Sequence, residues 1–472
     1  MKSVYDYFAG EERYPELDAA GAVSRLSEAV RCRTVNAPDP AQTDFGEFEK
    51  LQALMLRSYP AVMAAGSFEL IGHSVLITIP GSDASLRPSL YMSHQDVVPV
   101  VRGTEADWTH DAFSGDIADD SIWGRGTLDI KQMVFGILEA AETLLRQGAR
   151  FQRTAYLAFG DDEETLNLGA LGVAETLRER GVRLEFVLDE GGGLIEDGGI
   201  FGAPGVPVTL IDLMEKGYAD LELTVESTGG HSSRPWGGSS LEHIARAVTA
   251  IADHPFPARC PEPLLRTFET LAPYIQTEPL RTLSQDVHAN ADAIAAWCLK
   301  QPELFSLVTT TVAPTMIEGG SAACNVLPQN MRAVINFRLN RGESTESLLA
   351  HCREALSSTV PDSPVHLRYL QANDPSSIAR TDGFGYSVLT SALSEFYPAV
   401  KAVPSLTAGA TDAHQYERIC DTCLRCSPFI VDKSLARSGV HGTDEHIPVR
   451  SYLQGIRVLM RIMELANTAP AQ

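Results

Sequence analysis

Residues 154–190, TAYLAFGDDEETLNLGALGVAETLRERGVRLEFVLDE, decide the fold. An apolar run at 154–159 stops at Gly160 and four acids: Asp161, Asp162, Glu163 and Glu164. Residues 169–180 then place apolar side chains at helical spacing and close at Gly181. A second apolar run, 185–188, ends in Asp189, Glu190 and three glycines. Strand, helix and strand in this order predict an α/β sheet with crossover helices. Ligand sites in open α/β sheets lie outside the carboxyl ends of strands, which is where both acidic clusters fall.

The pattern extends in both directions. Upstream, 89–92 is a short buried-type strand that runs into His94 and Asp96. Residues i and i+2 of an extended chain point to one side, an arrangement that suits a metal ligand and the carboxylate that fixes its ring. Residues 67–81 read as a hairpin, 20–36 as a helix stopped by Asn36, Ala37 and Pro38, and 45–58 as a second helix. Residues 101–123 are irregular, and 133–148 form a strongly periodic helix just after Asp129. Near residue 213 the texture changes. The 217–227 segment alternates, as a half-exposed antiparallel strand does. A helix (239–253), strands (306–320, 331–339), a helix (344–358) and a strand (365–370) follow. That order predicts a ferredoxin-like β-α-β-β-α-β unit carrying an insertion at 255–305. The earlier helical style resumes at 385–397. The expected architecture is an α/β domain of residues 1–212 and 374–472, interrupted by an α+β domain of residues 213–373.

The 472 residues carry a formal charge of −23. An acidic surface argues against a nucleic-acid partner, because phosphate binding needs a basic face. The first residues, MKSVYDYFAGEERYPELD, contain no apolar segment of signal-peptide type. No run approaches the ~18 apolar residues of a membrane helix, so no membrane partner is expected and a cytoplasmic location is. Cys420, Cys423 and Cys426 form C-x2-C-x2-C without a nearby fourth cysteine, which reads as reduced structural thiols.

Acids and imidazoles at predicted strand ends and in nearby loops form one set: His94, Asp96, Asp129, Glu163, Glu164, Asp189 and His441. Mixed imidazole and carboxylate ligands suit zinc, with cobalt or manganese as substitutes. With Asp96 supporting a ligand and one glutamate kept for acid–base work, five ligands remain. Five serve two metals if one carboxylate bridges them. Glu163 and Glu164 diverge as chain neighbours, so one can ligate while the other handles a proton.

The segments HQDVVPV, WTHDAFSG, GRGTLDIK, RTAYLAFGDDEET, FVLDEGG, GGHSSRPW, NVLP, GATDAHQY and VHGTDEHIPV occur in this order between residues 94 and 449. They resemble the co-catalytic zinc peptidases of the carboxypeptidase S, glutamate carboxypeptidase, aminoacylase and succinyl-diaminopimelate desuccinylase family. The wording is nearest to the carboxypeptidase S branch. The resemblance implies an α/β zinc-exopeptidase catalytic domain with an inserted α+β ferredoxin-like lid and dimerisation domain. It implies two zinc ions bridged by Asp129, with His94 and Asp189 completing one and Glu164 and His441 the other. Asp96 orients His94, and the bond after Asp129 is cis. Glu163 is the general base for attack by a hydroxide held between the metals. His231 reaches into a partner subunit's site, so a homodimer is implied, and Asn325, Arg338, Thr411 and His414 fall where relatives hold the substrate near its carboxylate. Two positions depart from the family: His414 stands where many relatives have Arg, and Asp161 where they have His. The second should push the pKa of Glu163 upward.

The expected activity is hydrolysis of an amide or peptide bond next to a free carboxylate, in a small peptide or an N-acyl amino acid. The alternative is a metal-dependent binding or regulatory protein on the same fold, against which the retained Glu163 argues.

Overall fold

The computed structural model describes residues 3–361, 363–432, 435 and 439–467. The chain forms two compact units. The first comprises Met1–Met214, Ser377–Ser405 and Thr411–Gln472, the second Glu215–Ser376 and Leu406–Ala410.

The first unit is built on a nine-stranded mixed sheet. Its order is Ser67–Ile71, Ser74–Ile79, Ala155–Gly160, Ser89–His94, Phe186–Asp189, Cys423–Arg425, Val208–Glu215 and Lys401–Thr407, with Gly193–Ile195 added on Val208–Glu215. The four strands ending at Gly160, His94, Asp189 and Arg425 run parallel. Both Ala155–Gly160 and Ser89–His94 are buried along their whole length, as strands covered on both faces must be. On one face Leu90, Met92, Tyr156 and Ala158 pack against Ala170, Val173 and Leu177 of the helix Leu168–Glu179. On the other, Tyr91, Leu157 and Phe159 pack against Met133 and Ile137 of the helix Lys131–Arg146 and Ile456 of Val449–Ala466. Truncating one such fully buried side chain, Leu157 for example, costs ~2–5 kcal/mol.

Two irregularities lie beside the site. The first long helix ends at Val30, not near residue 36. Thr34 leaves it because its hydroxyl donates to the Gln95 carbonyl (2.6 Å) and its own carbonyl accepts from Val97 N–H (3.0 Å). These bonds fasten the chain on both sides of Asp96. The peptide bond Asp129–Ile130 is cis. The 101–123 segment is not wholly irregular: Ile117–Ala118 pairs with Ser121–Trp123, which pairs in turn with His446–Pro448.

The second unit holds a four-stranded antiparallel sheet. Gly217–Glu226 lies between His366–Asn373 and Asn330–Leu339, with Thr311–Gly319 beyond. In chain order this is 4-1-3-2, the ferredoxin-like arrangement. Leu221, Leu223, Ile335 and Phe337 face Ile244, Ala247, Leu348 and Ala355 of the helices Ser240–Ala252 and Thr345–Thr359. Between the first helix and Thr311 lie Glu262–Leu271, Leu280–Leu283, Ala291–Cys298 and Phe305–Val308. The strand expected from residue 306 therefore starts only at Thr311. Buried Lys216 explains the delay, since its ammonium donates to the carbonyls of Ser306 and Thr309 at 2.7 Å each and holds a helical turn there.

Candidate metal centre

The four parallel strands end together, and the polar residues that follow them meet. Register sets His94 beside Gly160. A side chain at Gly160 would run into the Asp412 carboxylate, so only glycine fits at this strand end.

The acidic stretch after Gly160 divides its work. Asp161 accepts a bond from the Ser74 hydroxyl at 2.5 Å. Asp162 accepts from Leu168 N–H (2.9 Å) and Gly169 N–H (2.7 Å), satisfying the free donors at the start of that helix. Glu163 and Glu164 remain for the site, and the two oxygens of Asp96 accept their backbone N–H groups at 3.2 and 3.1 Å. Asp96 also lies 3.3 Å from His94 Nδ1, which is 3.1 Å from the Asp96 carbonyl. Asp96 thus fixes one imidazole and the turn that carries both glutamates.

At the centre stands Asp129. Its Oδ1 lies 3.1 Å from His94 Nε2, and its Oδ2 lies 3.1 Å from His441 Nε2. His441 Nε2 is also 3.0 Å from Glu164 Oε1, and His94 Nε2 is 3.3 Å from Glu190 Oε1. Among the described residues, three overlapping groups bring ligand atoms within 4.8 Å of one another: His94 with Asp129 and Glu190, His94 with Glu163 and Glu164, and Asp129 with Glu164 and His441.

Asp189 does not join them. Its Oδ1 accepts Glu190 N–H (2.8 Å) and its Oδ2 accepts Ala413 N–H (2.9 Å). As the last residue of its strand it shares a face with Val187, which packs against Ala413 and Tyr416. The next residue, Glu190, turns the other way, as strand alternation changes the face one position on, and brings its Oε1 to 3.3 Å from His94 Nε2.

The charges explain the geometry. Burial alone would keep His94 neutral, but Asp129, Asp96 and Glu190 overcome it and raise its pKa well above the imidazole range. His441 is raised to about 10 by Asp129 and Glu164. Burial and the Asp129 charge push Glu190 up to about 7. Glu163 is raised well above the carboxylate range by burial, helped by Glu190, Asp412 and Asp129 against the pull of His94. These contributions rank ahead of any from Asp161, whose carboxylate is engaged by Ser74. Imidazoles set among carboxylates in this way form a donor set that a divalent cation can hold once the ligands are deprotonated. Two imidazoles and several carboxylates, with no thiolate, fit zinc, cobalt or manganese. Cys420, Cys423 and Cys426 are buried free thiols outside these groups.

The remaining predicted residues fall in two places. Thr411 Oγ1 accepts a bond from buried Arg425 Nε at 3.0 Å, and the partly exposed His414 lies 3.9 Å from Glu417. His231, Asn325 and Arg338 belong to the second unit. His231 pairs with Val326 in a two-stranded ribbon, and the carbonyl of Asn325 accepts Ser232 N–H at 2.9 Å. Both side chains are exposed there. Arg338 lies over the Tyr218 ring at 4.6 Å.

Two histidines and at least four carboxylates meet beside the ends of the parallel strands, a donor set that defines a candidate divalent-metal site. The family model of peptidase family M20/M25/M40 matches residues 90–465, and the chain belongs to that family. It is similar to the human N-fatty-acyl-amino acid synthase/hydrolase PM20D1, with 31% identity over 98% of this chain and 89% of the relative. It is also similar to the probable carboxypeptidase S-like 2 of Dictyostelium discoideum, with 31% identity over 91% of this chain and 82% of the relative. Among solved structures, an M20 family metallo-carboxypeptidase from Sulfolobus solfataricus shares the fold, with a TM-score of 0.69 and 17% identity over 94% of this chain and 99% of that one. The protein is therefore a metallopeptidase or amidohydrolase of the carboxypeptidase S branch, acting on C–N bonds. No helix among the described residues is long and apolar enough to cross a membrane.

Proposed function

We propose that this protein is a dinuclear zinc hydrolase that cleaves an amide or peptide bond next to a free carboxylate, in a small peptide or an N-acyl amino acid. The observation that carries the reading is Asp129, whose two carboxylate oxygens face His94 and His441 separately at 3.1 Å. A carboxylate held in that way suits a bridge between two ions. His94, Asp129 and Glu190 form one position; Asp129, Glu164 and His441 form the other. Glu190 takes the role expected of Asp189. Cobalt or manganese serves the same donors. When bound, the ions supply Lewis acidity and lower the pKa of water.

Glu163 takes the proton of the attacking water and delivers it to the leaving nitrogen. Its burial and the surrounding acids raise its pKa above the carboxylate range, and the two halves of that task use its ionised and protonated forms in turn. Asp96 holds Glu163 and Glu164 by their amides and His94 by its ring. The second unit serves as lid and dimerisation domain, with His231 polarising the scissile carbonyl in the partner's site. Asn325, Arg338, Thr411 and His414 hold the substrate carboxylate.

The relatives support both substrate classes, one being named for N-fatty-acyl amino acids and others for carboxypeptidase action. A library of dipeptides and N-acyl amino acids, assayed with metal content measured on the same sample, tests the proposal. Hydrolysis of carboxylate-bearing members, lost when the carboxylate is amidated, is the expected result. A fully loaded protein that cleaves none of them would favour a non-catalytic binding role.

A further inference from the structure

The ligands of the Asp129–Glu164–His441 position come from segments far apart in the chain, and two of those segments lack regular structure around the ligand. His441 and Asp444 both have left-handed backbone conformations, with φ of 58° and 60°. Asp129 lies in the loop that precedes the helix Lys131–Arg146. The ladder between Ser121–Trp123 and His446–Pro448 brings the two segments together but stops short of both ligands, so side chains must set the rest of their spacing.

One ion pair joins the two loops. Arg125 and Glu445 are 2% and 0% exposed, and Arg125 Nη1 donates to Glu445 Oε2 at 2.6 Å. The other oxygen of Glu445 accepts three backbone N–H groups of the Asp129 loop: Gly126 (3.0 Å), Leu128 (2.7 Å) and Asp129 itself (3.2 Å). Arg125 Nη2 donates to the carbonyl of His441 at 3.3 Å, and Gly124 N–H donates to the carbonyl of Glu445 at 2.8 Å. Trp108 covers the guanidinium at 5.3 Å. Thr109 closes the far side, donating from its N–H (2.6 Å) and hydroxyl (2.8 Å) to the Asp444 carboxylate. A buried ion pair gains little net stability, because desolvating both charges offsets their attraction. Its use here is geometric. Glu445 reaches Asp129 through backbone, Arg125 reaches His441 through backbone, and each holds the other.

We propose that the Arg125–Glu445 pair is a positioning clamp that sets the distance between Asp129 and His441, and with it the affinity of the metal position those residues share with Glu164. This inference rests on the two-metal reading above. Neither residue touches metal or substrate; both act through the ligands they place.

The test is metal stoichiometry of the full-length protein loaded with zinc or cobalt, desalted and measured by mass spectrometry. Wild type is expected to retain two ions per chain. Glu445→Gln keeps the shape but not the charge; it should fold, by circular dichroism, and lose one ion on desalting. Support around a ligand is worth ~10–100-fold in metal affinity, and the weakened site should show a loss in that range. Activity should return at excess metal with KM unchanged. The cobalt spectrum of the one-ion form should match that of His441→Ala, which removes the same position directly. A purely structural pair would lower the melting temperature and leave stoichiometry and spectrum alone. If Glu445→Gln does not fold, Arg125→Lys is read instead. It keeps the charge and gives up the second N–H that reaches His441, so it should weaken the same position. Two ions with wild-type affinity in the folded variant would overturn the clamp. A wild-type chain that holds no divalent ion would overturn the metal-centre reading beneath it, a result distinct from the first.

Discussion

Asp189 and Glu190 are neighbouring acids with different contacts, and the proposed metal centre gives them opposite work. The perturbation that separates them is a pair of isosteric changes, Asp189→Asn and Glu190→Gln. Asp189 accepts one backbone N–H on each oxygen, from Glu190 and from Ala413. Asparagine can still accept one of them. Its amide nitrogen then opposes the other N–H, leaving a buried donor unsatisfied at ~1–3 kcal/mol and removing the charge from the surviving bond. The expected loss is about 2–4 kcal/mol of unfolding free energy with both metal ions retained. Glu190→Gln acts in the reverse sense. It removes a carboxylate 3.3 Å from His94 Nε2, where burial and Asp129 already make negative charge costly, so the fold keeps its stability without metal. Metal affinity at the His94 position should fall by at least ~100-fold, since even groups behind a ligand contribute ~10–100-fold. Urea unfolding of the metal-free proteins and metal content after desalting, measured on one preparation of each variant, read both effects. Loss of a metal ion in Asp189→Asn with full retention in Glu190→Gln would refute the assignment.

Three further outcomes follow from other parts of the molecule. Asp96→Ala removes the acceptor for two backbone N–H groups and the ring support of His94, so metal affinity should drop ~10–100-fold, read by competition with a chelator; unchanged affinity would contradict the role of Asp96. Burial pushes Asp212 up to about 6 from 3.8. A carboxyl raised in the folded state gives a contribution complete below its unfolded pKa and lost as pH rises through the folded one, so Asp212→Asn should gain about 2 kcal/mol over wild type between pH 4.5 and 7.5 in urea unfolding; a loss across that interval would show the charge to be favourable. His231→Ala should lose most activity and recover it in mixed dimers with Glu163→Gln, because one hybrid site then contains both residues; no recovery would exclude action between subunits.

Much of this site was legible because its residues end strands. His94, Glu163 and Glu164 each follow an apolar run, and a run that stops at acids or an imidazole marks a strand end before any contact is known. The strand Gly217–Glu226 was legible from period alone: Ala219, Leu221, Leu223 and Val225 alternate with polar residues and do line one face. The choice between Asp189 and Glu190 was not legible from composition, since both are acids at one strand end and a shift of one residue reverses the face. Nor could spacing reveal Arg125 and Glu445, which lie 320 residues apart and meet only through the tertiary fold. The helical turn Phe305–Val308 was missed for a related reason: Lys216 holds it from 90 residues away.

The central claim is that a metal-loaded cluster around Asp129 hydrolyses its substrate with Glu163 moving the proton. Its most direct test is turnover by Glu163→Gln on the best substrate of the library, with metal content measured on the same sample. The account predicts two bound ions per chain and turnover lowered at least ~100-fold, the usual lower range for a positioned acid–base group. Wild-type turnover in a fully loaded Glu163→Gln protein would contradict it.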